Sequence, residues 1–160
     1  MGVKLKKTIH ITLLALLMIG SHAAFAVAAD DWEMNITVTS GNAENRLSLG
    51  QHQDATNQRD GLYDVPAMLS GSLRAWFTSG ANNLWRDIRS ARSDNGSEWQ
   101  LLISSRTGLP AVISWNIEQL PAGMIIELID NATGTVVDMG STTSYLLEDG
   151  SAAELTIKTN

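Results

Sequence analysis

Trp32-Glu-Met-Asn-Ile-Thr-Val-Thr39 decides how this chain is read. Trp32, Met34, Ile36 and Val38 alternate with Glu33, Asn35, Thr37 and Thr39. A period of two held over eight residues is the mark of a strand with one buried face, because successive side chains of extended backbone point to opposite sides. The same rhythm recurs downstream. Leu47 and Leu49 alternate, as do Leu73, Ala75 and Phe77, then Trp99, Leu101 and Ile103, then Ala111, Ile113, Trp115 and Ile117. Met124 to Ile129 is a more continuous apolar run, as expected of a central strand. Val136–Met139, Tyr145–Leu147 and Leu155–Ile157 complete about nine short strands.

Turn residues fall between these series. Asn95-Gly96, Asn131-Ala-Thr-Gly134 and Asp149-Gly150 supply the positive φ angles of tight turns. Pro110 and Pro121 stand where strands begin, where a missing N–H is tolerated. After Ala29 no window keeps a helical period for three turns. The pattern predicts an all-β domain, a two-sheet antiparallel sandwich with Greek-key connections. Gln51 to Pro66 breaks the rhythm. It is polar, carries Asp54, Asp60 and Asp64, and reads as a long loop, which in a small domain is often functional.

The first 29 residues differ from the rest. Lys4, Lys6 and Lys7 precede an apolar stretch from Ile9 to Gly20. Small-x-small patterns follow at Ala24-Phe-Ala26 and Ala26-Val-Ala28. That order predicts a cleaved secretory signal peptide at 1–29, a single domain at 30–160, and a secreted, periplasmic or otherwise extracellular product. The apolar run is shorter than a membrane span requires, so no stable membrane insertion is expected after cleavage. The 160-residue chain has a net charge of −6; removing the three leader lysines leaves eight basic residues against 17 acidic ones, a net −9. That balance argues against nucleic acid as a partner. Cysteine is absent, which excludes a disulfide framework, thiolate catalysis and Cys-ligated metal, and suits a bacterial envelope.

Several phrases, taken in order, resemble a known group. They include Asn45-Arg-Leu-Ser-Leu-Gly50, Asp60-Gly-Leu-Tyr-Asp-Val-Pro66, Leu84-Trp-Arg-Asp-Ile-Arg89, Ser114-Trp-Asn116, Leu120-Pro-Ala-Gly123 and Glu127-Leu-Ile-Asp-Asn-Ala-Thr-Gly134. Together they are similar to the immunoglobulin-like modules of bacterial secreted and surface proteins, often found near the C-terminus ahead of a sorting segment. The resemblance spans nearly all of Asp31 to Thr159. It implies an immunoglobulin-like sandwich at the envelope or outside the cell, and no catalytic residues. It departs from the usual setting in that the module here stands alone behind its own leader, which weighs against a spacer role.

Few residues point to chemistry. His52 is the only histidine after the leader, and no Gly-x-Ser-x-Gly elbow accompanies it. Paired carboxylates for hydrolysis could come from Asp60, Asp64, Asp87 or Glu127 with Asp130. Calcium is the metal that the loop acids suit best, with Asp54, Asp60 and Asp64 as oxygen donors, although the EF-hand spacing is missing. Trp76 is out of phase with Leu73, Ala75 and Phe77, and Trp85 is out of phase with Leu84 and Ile88. With Arg74 they form the expected contact patch for a carbohydrate or another polymer. The sequence therefore predicts a non-enzymatic binding or assembly module whose partner is another envelope protein or an extracellular polymer. A carbohydrate-binding module using Trp76 and Trp85 is the first alternative, and a small carboxylate-based hydrolase the second.

Overall fold

The computed structural model describes residues 31–92, 96–117 and 120–160. The leader at 1–29 and the turn residue Asn95 lie outside them. Eleven strands run along the described chain and no helix interrupts them. They are β1 (Trp32–Ser40), β2 (Ala43–His52), β3 (Val65–Pro66), β4 (Leu73–Ser79), β5 (Asn82–Ser90), β6 (Glu98–Ser105), β7 (Ala111–Asn116), β8 (Ile126–Asp130), β9 (Val136–Asp138), β10 (Ser144–Leu147) and β11 (Ala152–Thr159).

The all-β expectation holds. The expected division into two antiparallel sheets gives way to one continuous ladder in the order β10-β7-β1-β2-β5-β4-β6-β11-β8-β9, with β3 added on β5. The ladder is nearly closed into a barrel. One of its joints, β2 to β5, is parallel. The reason is the long connection from His52 to Asn82, which carries the chain across before β5 returns beside β2. Met124 to Ile129 also differs from its reading as a central strand. β8 is next to the edge strand β9, its residues alternate in burial, and Ile125 is exposed.

The inward residues form one core that includes Met34, Ile36, Phe77, Leu101, Ile113 and Leu155, all essentially without solvent contact. Trp32, Trp99 and Trp115 are buried with them, as their phase with aliphatic neighbours predicts. β1 and β2 are joined by Gly41-Asn42, with Ser40 paired to Ala43. Gly41 has φ +58°, which is the first-position requirement of a two-residue hairpin turn.

Two strands, β3 and β5, are absent from the nine expected from the sequence. In β5 the alternation slips. Leu84 is buried, Trp85 and Arg86 are both half-buried, and Asp87 is buried again. Two consecutive residues on the outer side are the signature of a bulge. Here it coincides with the change of neighbour from β4, whose last pair is Phe77 with Leu84, to β2, whose first pair is Ser48 with Arg86.

One end of the barrel is filled by polar and aromatic groups together. Trp32 and Trp99 meet edge to face, with centroids 5.8 Å apart. Trp32 Nε1 donates to Gln51 Oε1 at 2.8 Å, and Gln51 Nε2 donates to Ser97 Oγ at 2.9 Å. Trp99 Nε1 donates to the Asp87 carbonyl at 3.0 Å. Arg89 lies over the Trp99 ring at 5.4 Å and pairs with the Asp87 carboxylate at 3.0 Å. Burial raises the Asp87 carboxyl above its ordinary range, and the nearby Asp64 adds to that, against the opposing pull of Arg89.

Candidate functional site

The outer face of β1, β2 and β5 is set by the register. Glu33 is opposite Gly50, and Gly50 is opposite Ile88. Gly50 therefore leaves the middle of this face without a side chain. A Cβ there would meet the Trp32 carbonyl oxygen at 2.1 Å, so the close approach of β1 enforces the glycine. The same strands frame a hollow of about 300 Å³, walled by Asp31, Glu33, His52, Tyr63, Arg86 and Ile88. That volume is at the lower end of ordinary ligand sites.

An arginine–glutamate ion pair and a histidine–aspartate contact line the hollow. Arg86 grips Glu33 with both arms, Nε to Oε1 at 2.9 Å and Nη2 to Oε2 at 2.7 Å. Its remaining Nη1 donates to the Tyr63 carbonyl at 3.0 Å, which ties the loop to the sheet. The Arg86 hydrogen bond holds the Glu33 carboxyl below its usual range, in spite of partial burial. His52 Nε2 is 3.2 Å from Asp31 Oδ2, and its Nδ1 accepts the Asp54 N–H at 3.1 Å. Asp31 Oδ1 accepts the Gln53 N–H at 2.7 Å. The Tyr63 ring lies against His52, with centroids 4.7 Å apart. Both His52 nitrogens are thus engaged within the chain. The arrangement offers a charged rim, one aromatic edge and an apolar floor at Ile88.

The loop between β2 and β3 is folded onto the sheet. Asp64, buried, accepts the Asp60 N–H through Oδ2 at 2.6 Å and the Ile88 N–H through Oδ1 at 3.0 Å. Asp60 Oδ1 accepts the Leu62 N–H at 3.2 Å. Asp54 is exposed. Asp60 and Asp64 thus meet through a backbone N–H and not as two free carboxylates. Among the described residues no group of three or more acidic or histidine side chains is placed to hold a metal ion. Nor do Asp60, Asp64 and Asp87 face one another across this hollow, since none of them lines it.

The tryptophan patch also differs from its expected form. Trp76 and Trp85 are the next residues along β4 and β5 beyond the Phe77–Leu84 pair, but both are half-buried, and Trp85 packs against the core. Arg74 Nη2 donates to Ser104 Oγ at 3.1 Å. Arg74 Nε and Trp85 Nε1 are buried without a hydrogen-bond partner among the described residues. No flat exposed aromatic face results.

Sequence reasoning did not single out Asp31, Glu33, Tyr63 or Arg86. The available signal was the polar face of β1, where Glu33 stands in the alternation, and an arginine two residues from a strand's last apolar position. Comparisons with protein-family models, curated proteins and solved structures find no match for this chain.

Proposed function

We propose that this chain is an exported, non-enzymatic module that binds an envelope protein or an extracellular polymer through the hollow beside Arg86. One observation carries the reading. The ionisable groups of the hollow are held in pairs by other parts of the chain, Arg86 by Glu33 and His52 by Asp31, so they present a preorganised rim. The leader pattern supports export, through the order of lysines, apolar run and small residues. The phrase resemblance to immunoglobulin-like modules supports a place at the bacterial envelope.

The test is photo-crosslinking from position 62 in the native envelope. Leu62 is 86% exposed and next to Tyr63, so a crosslinker there samples the rim without disturbing it. One dominant adduct is expected, and Arg86→Ala should abolish it while the fold persists. A spread of adducts indifferent to Arg86→Ala would reject the hollow as the contact surface. N-terminal sequencing of the same material should begin between Val27 and Asp30; recovery of Met1 or Gly2 would reject export with cleavage.

A further inference from the structure

We propose that the open seam of the barrel, along the free edge of β10, takes an extended basic peptide segment as an added strand. The inference concerns a surface separate from the hollow and does not rest on its reading. β10 ends the ladder on one side and β9 on the other. An edge strand displays backbone N–H and C=O groups that a further strand can pair with. Beside β10 is a groove of about 390 Å³, bounded by Tyr145, Leu146 and Leu147 on the near side and by Asp130, Ala152 and Ala153 across it. The two sides are joined there through side chains, by Tyr145 donating to Asp130 Oδ2 at 2.8 Å.

Charge selects the occupant. The groove lining contains Asp130, Glu148 and Asp149 and no lysine or arginine. Leu146 is 48% exposed on the edge strand, and its register partner Val112 on β7 is also exposed. An occupant that alternates apolar and basic residues would satisfy both features, because alternate side chains of an added strand face opposite sides. A second copy of this chain is a poorer match, since it would bring the same acidic groove and a net negative charge.

The probe is the capped peptide Lys-Val-Lys-Val-Lys-Val-Lys, titrated into the full-length protein by fluorescence anisotropy. Hydrogen exchange is followed at the Ser144–Leu147 amides. Its controls are the same peptide with glutamate for lysine, and the lysine peptide N-methylated at alternate residues. The lysine peptide should bind with a Kd below about 1 mM and slow exchange at Ser144–Leu147. The glutamate and N-methylated peptides should each bind about tenfold more weakly or worse. Glu148→Lys with Asp149→Lys, both exposed positions, should reverse the preference for lysine over glutamate. Four results would each overturn the proposal. They are failure of the lysine peptide to bind, equal binding of the lysine and N-methylated peptides, unchanged preference in the double variant, and protection of β10 that grows with protein concentration without peptide. The last would assign the edge to a second copy.

Discussion

Tyr145, on β10, donates its phenolic proton to Asp130, at the end of β8, and so joins two strands that share no backbone ladder. Asp130 Oδ1 meanwhile accepts the Ala132 N–H at 2.9 Å and the Thr133 N–H at 3.2 Å. Burial pushes the Asp130 carboxyl up, but these bonds, Tyr145 first, hold it below its ordinary range. A depressed folded-state pKa contributes stability above the unfolded value, and that stability is lost as pH falls through the folded one. Tyr145→Phe should therefore cost about 1.5 kcal/mol at pH 7 and clearly less once Asp130 is protonated. Urea melts of both proteins at neutral and strongly acid pH check this. A penalty independent of pH would show that the bond does not depend on the carboxylate's charge.

Asp87 has the opposite sign. Its folded-state carboxyl is raised, by burial before all else, so the wild type loses stability as pH rises from below the ordinary Asp value, about 3.9, through the raised one. Asp87→Asn removes that titration. The stability of the variant relative to wild type should improve between pH 3 and pH 7, whatever the constant cost of altering the Arg89 contact. Parallel stability–pH curves for the two proteins would refute it.

Asp64→Ala strips the acceptor from two backbone N–H groups, and the Ile88 amide belongs to a buried residue. A loss of about 2 kcal/mol is expected, against about 0.5 kcal/mol or less for the exposed Asp54→Ala. The Asp64 penalty should be the same with calcium and with chelator. A penalty that appears with calcium alone would instead support a metal in this loop.

Trp115 Nε1 donates to the carbonyls of Met139 and Thr142, each at 2.9 Å, and its ring fills the core. Trp115→Ala should cost roughly 3–5 kcal/mol. Trp76, half-buried on β4, should cost about 1 kcal/mol when truncated. Equal losses in urea would mean that the two rings are equally integral to the packing.

Legibility followed the range of the interactions. β1 was readable because its partition into buried and polar residues is local: Trp32, Met34, Ile36 and Val38 are all buried. The same holds for β4, β6 and β7. β5 broke the pattern because two successive residues, Trp85 and Arg86, share the outer side, and no periodic template survives such a slip. The single ladder was not readable at all. Whether β2 finds β5 or another strand depends on pairing between Ser48 and Arg86, which no local pattern encodes. The hollow escaped for the same reason, since Arg86 and Glu33 are 53 positions apart. The contact of His52 with Asp31 was equally hidden, because Asp31 approaches through the β1–β2 register, with Trp32 paired to Gln51.

The pairing of β1 with both β2 and β7 also governs the order in which the molecule can assemble. β1 meets β2 across a two-residue turn, a closure available within microseconds of synthesis. Its other edge waits for Asn116 to reach Asn35, and β7 waits in turn for Leu147. β1 must therefore persist with an unsatisfied strand edge until β7 exists. Such non-local topology places folding on the slow side, in milliseconds to seconds. Closure of that edge is a late step, dependent on β7 and then on β10.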